Sequence, residues 1–246
     1  MEYVIKVEKL SKSYKSCVAV ENLSFAVKKG TVFGLLGANG AGKSTSIECI
    51  LGTKKIYKGG VSILGLNPIS NRKEVFERVG VQFQEANYQE NIRVEELCEM
   101  TASLYKNPAN YKELLQRFGI EEKSKTLVKA LSGGEKQRLA LARGLLASKK
   151  SEIILMDEPT SSVDSMNEMK IHEQVFEEFQ NKTIVSSIHR LHLLDKFDYI
   201  YLFDQGKIVG HGTFDEIKKN PLFEKMWRRY HREKTSNKEK EEEKKR

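Results

Sequence analysis

The sequence predicts an α/β fold built on a mostly parallel sheet, and three observations carry that prediction. The apolar runs Val32 to Leu36, Ile153 to Met156 and Thr183 to Ile188 have the near-continuous hydrophobicity of strands buried on both faces. Segments of helical period lie between them, with Ile171, Val175, Phe176 and Phe179 falling on one face. A glycine-rich loop, Gly37 to Thr45, joins the first of these strands to a helix opening at Ser46-Ile47-Glu48. Such alternation of strand and helix argues for crossover connections between parallel strands.

Taken in order, the first segment alternates Val4, Lys6, Glu8 against Tyr3, Ile5, Val7, which is strand periodicity. The pattern breaks around Lys12-Ser13-Tyr14-Lys15 and resumes at Leu23 to Val27, ending in the turn signal Lys28-Lys29-Gly30. Beyond the glycine loop and its helix, Gly59-Gly60 marks a turn before the short run Val61 to Leu64. Asn71 to Arg78 reads as a helix and Val79 to Gln84 as a strand. From Val94 the period is helical: Leu97, Met100, Thr101 and Leu104 make one stripe, and Leu114, Leu115 and Phe118 another. A mostly helical subdomain is expected over about 86–148. Near the end, Phe223, Met226, Trp227 and Tyr230 share a helical face, expected to dock on the domain itself; a membrane-surface or partner contact is the competing use. Residues 231–246 are almost all charged or polar, and a solvated, disordered tail is expected there.

Composition bounds the function. A chain of 246 residues suffices for a substantial core in one or two domains. No run approaches the roughly 18 apolar residues of a membrane span, and the N-terminus is too polar for a signal peptide. Cys17, Cys49 and Cys98 are widely spaced with no C-x-x-C pair, so a disulfide framework is not expected and a reducing cytoplasm fits. The net charge of +8 permits an anionic partner without choosing one.

The chemistry begins at Gly37-Ala38-Asn39-Gly40-Ala41-Gly42-Lys43-Ser44-Thr45, which fits G-x-x-x-x-G-K-[ST] between a strand and a helix. Its glycines let backbone N–H groups wrap an anion, and the helix behind offers its unpaired N–H groups and positive dipole end to the same phosphates. Lys43 would bridge the β- and γ-phosphates and the Ser44 hydroxyl would ligate Mg²⁺. A strand ending in Asp157-Glu158 supplies the acids such a loop needs. Asp157 would hold the metal at the carboxyl end of the sheet, and Glu158 would polarise the attacking water. Leu131-Ser132-Gly133-Gly134-Glu135-Lys136-Gln137-Arg138 opens a further helix and gives a second anion-binding helix end.

These motifs, in this order and spacing, resemble the ATP-binding cassette family, specifically the nucleotide-binding subunit of ABC transporters, from Val4 to about Tyr230. The resemblance implies a P-loop NTPase core with an N-terminal antiparallel β subdomain and an inserted helical subdomain, together spanning 1–230. It implies that Tyr14 stacks on adenine and completes a nucleotide site with Gly37, Asn39, Gly40, Ala41, Gly42, Lys43, Ser44 and Thr45. Gln84 matches the hinge glutamine that reaches Mg²⁺ and the water, with Gln82 the less favoured choice, and His189 matches the switch histidine on the γ-phosphate. Catalysis would then rest on Glu158, His189 and Gln84, and the metal on Ser44, Gln84 and Asp157. His172, His192, His211 and His231 are assigned structural or surface places.

ATP and Mg²⁺ are the implied cofactors. A head-to-tail dimer is implied too, homodimer or heterodimer, with the Ser132, Gly133, Gly134, Glu135 signature of one subunit closing the site of the other and Asp164 signalling across it. Because the chain lacks a span, the transmembrane permease is expected as a separate polypeptide, and the cassette as a cytoplasmic protein peripheral on the membrane face. Two departures stand out: the loop after the acids reads Ser161-Ser162-Val163-Asp164, where the family often has Ser-Ala/Gly-Leu-Asp, and Ser187-Ile188-His189-Arg190-Leu191 looks like exporters fused to their membrane domain. The second feature favours export. A soluble ABC-type ATPase acting on ribosomes or nucleic acid is the alternative; the tandem cassettes or long coiled coils of those proteins are not seen, so nucleic acid is not an expected partner.

Overall fold

The computed structural model of the protein describes residues 2–15, 17–83, 91–149, 151–159, 165–188 and 191–243. Among them run strands β1 (Tyr3–Tyr14), β2 (Cys17–Lys28), β3 (Val32–Leu36), β4 (Lys58–Ile63), β5 (Val79–Gln82), β6 (Ile153–Met156), β7 (Thr183–Ile188), β8 (Tyr199–Asp204) and β9 (Lys207–Gly212). The helices are α1 (Lys43–Ile50), α2 (Arg72–Arg78), α3 (Val94–Ala102), α4 (Tyr111–Arg117), α5 (Gly133–Gly144), α6 (Ser165–Glu178), α7 (Phe214–Ile217) and α8 (Pro221–Glu243). One sheet is antiparallel in the order β2-β1-β4; the other runs β5-β6-β7-β3-β8-β9, parallel except where β9 returns against β8. The expected α/β class with a mostly parallel sheet and an antiparallel N-terminal part is thus the observed one.

The strands of the larger sheet are apolar throughout because both their faces are covered. Along β6, Ile153 and Leu155 enter the core under the antiparallel sheet and α1, whereas Ile154 and Met156 enter the core formed by α3, α4, α5 and α6. β7 splits likewise, Val185 to the first side and Ile184 to the second. That period-2 division explains why the sequence showed no polar alternation there. Cys49 and Cys98 are buried in these two cores, which pushes their thiols up to about 11 and about 12, while Cys17 is exposed.

Three features differ from the sequence reading. β1 does not stop at Lys12 but continues to Tyr14, its ladder shifted between Tyr3 and Ile5 and again beyond Val7. Lys9 has φ +48°, and the irregular register lets Val4 and Ile5 both be buried, which strict alternation forbids. The hairpin of β8 and β9 was not foreseen, although Tyr199, Tyr201 and Phe203 alternate with Ile200 and Leu202; its turn sets Gln205 and Gly206 at positive φ. Finally, α8 runs on to Glu243, beyond the last apolar residue of its docked face. Lys and Glu are good helix formers and extend a helix already nucleated by packing. That packing is intramolecular: Phe223 is fully buried, and Met226, Trp227 and Tyr230 pack with Leu193, Leu194 and Ile217.

Candidate nucleotide-binding site

The site is assembled where β3, β6 and β7 end, the edge at which open parallel sheets bind ligands. β3 delivers the chain into the glycine loop, in which Gly40 and Gly42 have φ +80° and +101°. Gly42 is the N-cap of α1, and a Cβ there would lie 2.7 Å from the Ala19 carbonyl oxygen, so both its conformation and its contact require glycine. The first N–H groups of α1 have no intrahelical acceptor and form the anion-binding end of the loop. Lys43 is buried; its Nζ donates to the Gly37 and Ala38 carbonyls at 2.9 and 3.1 Å and stands 3.5 Å from Glu158 Oε1. Burial pulls its pKa down from the ordinary lysine value, opposed by the charge and hydrogen bond of Glu158.

The acids come from β6. Asp157 N–H donates to the Gln82 carbonyl, so the strand pairing continues one residue past its end. Asp157 Oδ1 accepts from Ser44 Oγ at 3.0 Å and from Ser187 Oγ at 2.7 Å. Burial raises the Asp157 pKa, and the two hydroxyls hold it down in part. Glu158 follows at φ +44°, its N–H donating to Ser187 Oγ at 2.7 Å. Lys43, Ser44, Asp157 and Glu158, far apart in the chain, therefore form one cluster. The Ser44 hydroxyl and the Asp157 carboxylate, already in contact, make a pair of hard oxygens of the kind that would hold Mg²⁺.

A cavity of about 470 Å³ opens over this cluster, lined by Asn39, Gly40, Gly42, Lys43, Ser44, Thr45 and Glu158 together with Cys17, Val18, Ala19 and Gln205. Gly37 and Ala41 lie behind it: Gly37 accepts from Lys43, and the Ala41 carbonyl accepts from Gly206 N–H. Tyr14 is not among the lining residues; it is half exposed, pairs with Cys17 across β1 and β2, and carries Lys12 Nζ 4.7 Å above its ring. Ser187 was overlooked in the sequence although it ends a buried strand at the same edge of the sheet, a signal that was available. Gln205 had no signal, since only the β8–β9 hairpin brings it here.

Ser132 is the N-cap of α5, in a reciprocal capping box with Glu135: Ser132 N–H donates to Glu135 Oε2 at 2.8 Å and Glu135 N–H to Ser132 Oγ at 3.3 Å. Ser132 and Gly133 are exposed, Gly134 and Glu135 half-buried, and none of the four lines the cavity of its own chain. Gln84, Asp164 and His189 lie outside the described residues. Gln82, the alternative to Gln84, is buried with its amide donating to the Phe83 carbonyl.

A family model described as ABC transporter matches residues 20–161. The chain is 35% identical over 228 residues to the bacitracin transport ATP-binding protein BcrA of Bacillus licheniformis, covering 89% of this chain and 72% of that one. It is 30% identical to the phosphonates import ATP-binding protein PhnC of Fusobacterium nucleatum subsp. nucleatum, over 90% of this chain and 97% of the relative. Among solved structures, a dimeric bacterial ABC transporter cassette, MJ0796, superposes with a TM-score of 0.75 at 25% identity, covering 85% of this chain and 98% of that one.

Proposed function

Since this chain belongs to the ABC transporter family as an ATP-binding, ATP-hydrolysing cassette, we propose that it energises a separate transmembrane component by closing on a second cassette around ATP. In this reading residues 37–45 hold the triphosphate of one site, and Ser132 to Glu135 of the second cassette complete it. The observation that carries it is the division of labour in one chain. Lys43, Ser44, Asp157 and Glu158 are gathered at one cavity, while the capped end of α5 is exposed elsewhere. A triphosphate held by one loop keeps uncompensated charge, which a second helix end can neutralise only from across an interface.

The chain's own groups then act in turn. Lys43, already stripped of water, exchanges the Gly37 and Ala38 carbonyls and Glu158 for phosphate oxygens. That exchange frees the Glu158 carboxylate to accept a proton from the attacking water, a contribution typically worth about 10²–10⁴ in rate. Ser44 and Asp157 would hold Mg²⁺, which supplies charge neutralisation at the phosphates. Tyr14 stacks the base, and Gln84, His189 and Asp164 serve the roles the family motif gives them. Outward transport is the direction favoured by Ser187-Ile188-His189-Arg190-Leu191. The cassette sits on the cytoplasmic face through its partner; among the described residues no helix is long and apolar enough to cross a membrane.

Glu158→Gln is the test. The variant should bind ATP, turn over at least about 10²-fold more slowly, and shift from monomer to dimer with ATP and Mg²⁺ in light scattering. Self-dimerisation identifies the second cassette as a copy of this chain. A variant that stays monomeric and hydrolyses ATP normally overturns the mechanism.

A further inference from the structure

The helix that opens at Ser132 reaches the turn that carries Glu158 through the side chain of Gln137. Gln137, five residues along α5 from its N-cap, is buried, and its Nε2 donates to the Pro159 carbonyl and, at 3.4 Å, to the Glu158 carbonyl. Among the described residues no backbone hydrogen bond joins α5 to residues 157–159; the bond of Asp157 N–H goes to β5 and that of Glu158 N–H to Ser187 on β7. The amide therefore spans two elements whose backbones are otherwise attached to different neighbours.

The turn it grips is sensitive to such a pull. Glu158 has φ +44°, sparsely populated for a residue with a Cβ and held only by surrounding bonds. Its carboxylate stands 3.5 Å from Lys43 Nζ, so a small rotation of the peptide re-aims it with respect to the phosphate end of the cavity. The other end of the lever is stiff: the reciprocal Ser132–Glu135 capping box fixes the first turn of α5, and five residues of helix place Gln137 about 7.5 Å along the axis.

We propose that Gln137 is a positioning residue that passes the capture of a partner's nucleotide at Ser132–Gly134 to Glu158 of its own chain. This rests on the two-cassette reading above. The nucleotide held by one cassette thereby sets the base of the other, and hydrolysis at the two sites is coupled. The coupling requires two arrangements of α5 that the partner's phosphates distinguish, and by linkage the state of Glu158 returns the same bias to α5. A displacement of about 1 Å at a reacting group changes rate by about 10²-fold, so a small motion suffices.

Q137M keeps the length and burial of the side chain and removes the donor. ATPase rate against ATP concentration should lose its sigmoidal form, the Hill coefficient falling from above about 1.5 to about 1, with kcat down about tenfold and half-saturation within about twofold. In the Glu158→Gln background, Q137M should still give the ATP-driven dimer. Should Q137M not fold, Q137L makes the same test, because an aliphatic side chain of similar size has no donor for the two carbonyls, and the same loss is expected. Retention of both the sigmoidal curve and kcat in a folded variant overturns the inference while leaving the dimer intact. A Glu158→Gln chain with Gln137 unmodified that stays monomeric with ATP and still hydrolyses it normally overturns the two-cassette reading, and the inference with it.

Discussion

Ser187 concentrates the problem of the site into one hydroxyl. It donates to Asp157 and accepts from Glu158 N–H, both at 2.7 Å, and is buried at the end of β7. Two acids side by side in a dry site repel and are costly to desolvate, so their orientation depends on the donors that meet them. Removing Ser187 leaves a buried N–H without its acceptor, at a cost of about 1–3 kcal/mol. Ser187→Ala is therefore expected to lower kcat about 10-fold to 100-fold with little change in KM for ATP, and Ser187→Thr to restore it. Steady-state kinetics read this directly, and an unchanged kcat in S187A removes Ser187 from the mechanism.

Elements meet at the site through unlike devices. The β8–β9 hairpin braces the glycine loop from behind, with Gly206 N–H donating to the Ala41 carbonyl and its own carbonyl accepting from Glu21 N–H. A Cβ on Gly206 would lie 2.7 Å from the Ala19 carbonyl oxygen, so the brace closes only over glycine. Helix α8 is fixed in another manner, by apolar burial. Phe223, Phe214, Trp227 and Tyr230 form a chain of ring contacts, and His192 Nδ1 meets Tyr230 Oη at 3.1 Å. Phe223 is fully buried and lines no part of the nucleotide cavity. Phe223→Ala should cost about 3–5 kcal/mol in urea unfolding while the folded fraction keeps its specific ATPase rate. A loss of less than about 1 kcal/mol would show that α8 contributes little to the fold.

At the scale of the molecule, the residues proposed for the site are split between a cavity and an exposed helix end. In the two-cassette reading proposed above, nucleotide binding and assembly are one event, because each cassette lacks what the other presents. Ser132→Arg places a bulky cation at the α5 end without touching the cavity of its own chain. Equilibrium binding should give an ATP affinity within about twofold of the parent. Hydrolysis should fall about 10²–10³-fold, the usual consequence of losing a transition-state anion site. An S132R protein with full turnover would place the whole reaction inside one chain.

Much of this was legible in the residues, for a physical reason. Gly37 to Thr45 and Asp157-Glu158 are local constraints: a phosphate loop needs its glycines in fixed positions, and an acid at a strand end needs the apolar strand before it. The same holds for β3, β6 and β7, whose burial on both faces is written as unbroken hydrophobicity, and for the docked stripe of α8. What the sequence left open are contacts between segments distant along the chain. The Gln137 bond to the Glu158 turn, the Ser187 hydroxyl shared by two acids, and the Gln205–Gly206 hairpin against the glycine loop each join residues at least 21 positions apart. Hydrogen bonds and steric fits of that kind have no periodicity, since they depend on where the folded backbone brings two atoms. Motif and pattern fixed which chemistry this chain carries, and tertiary packing decided how its acids are held.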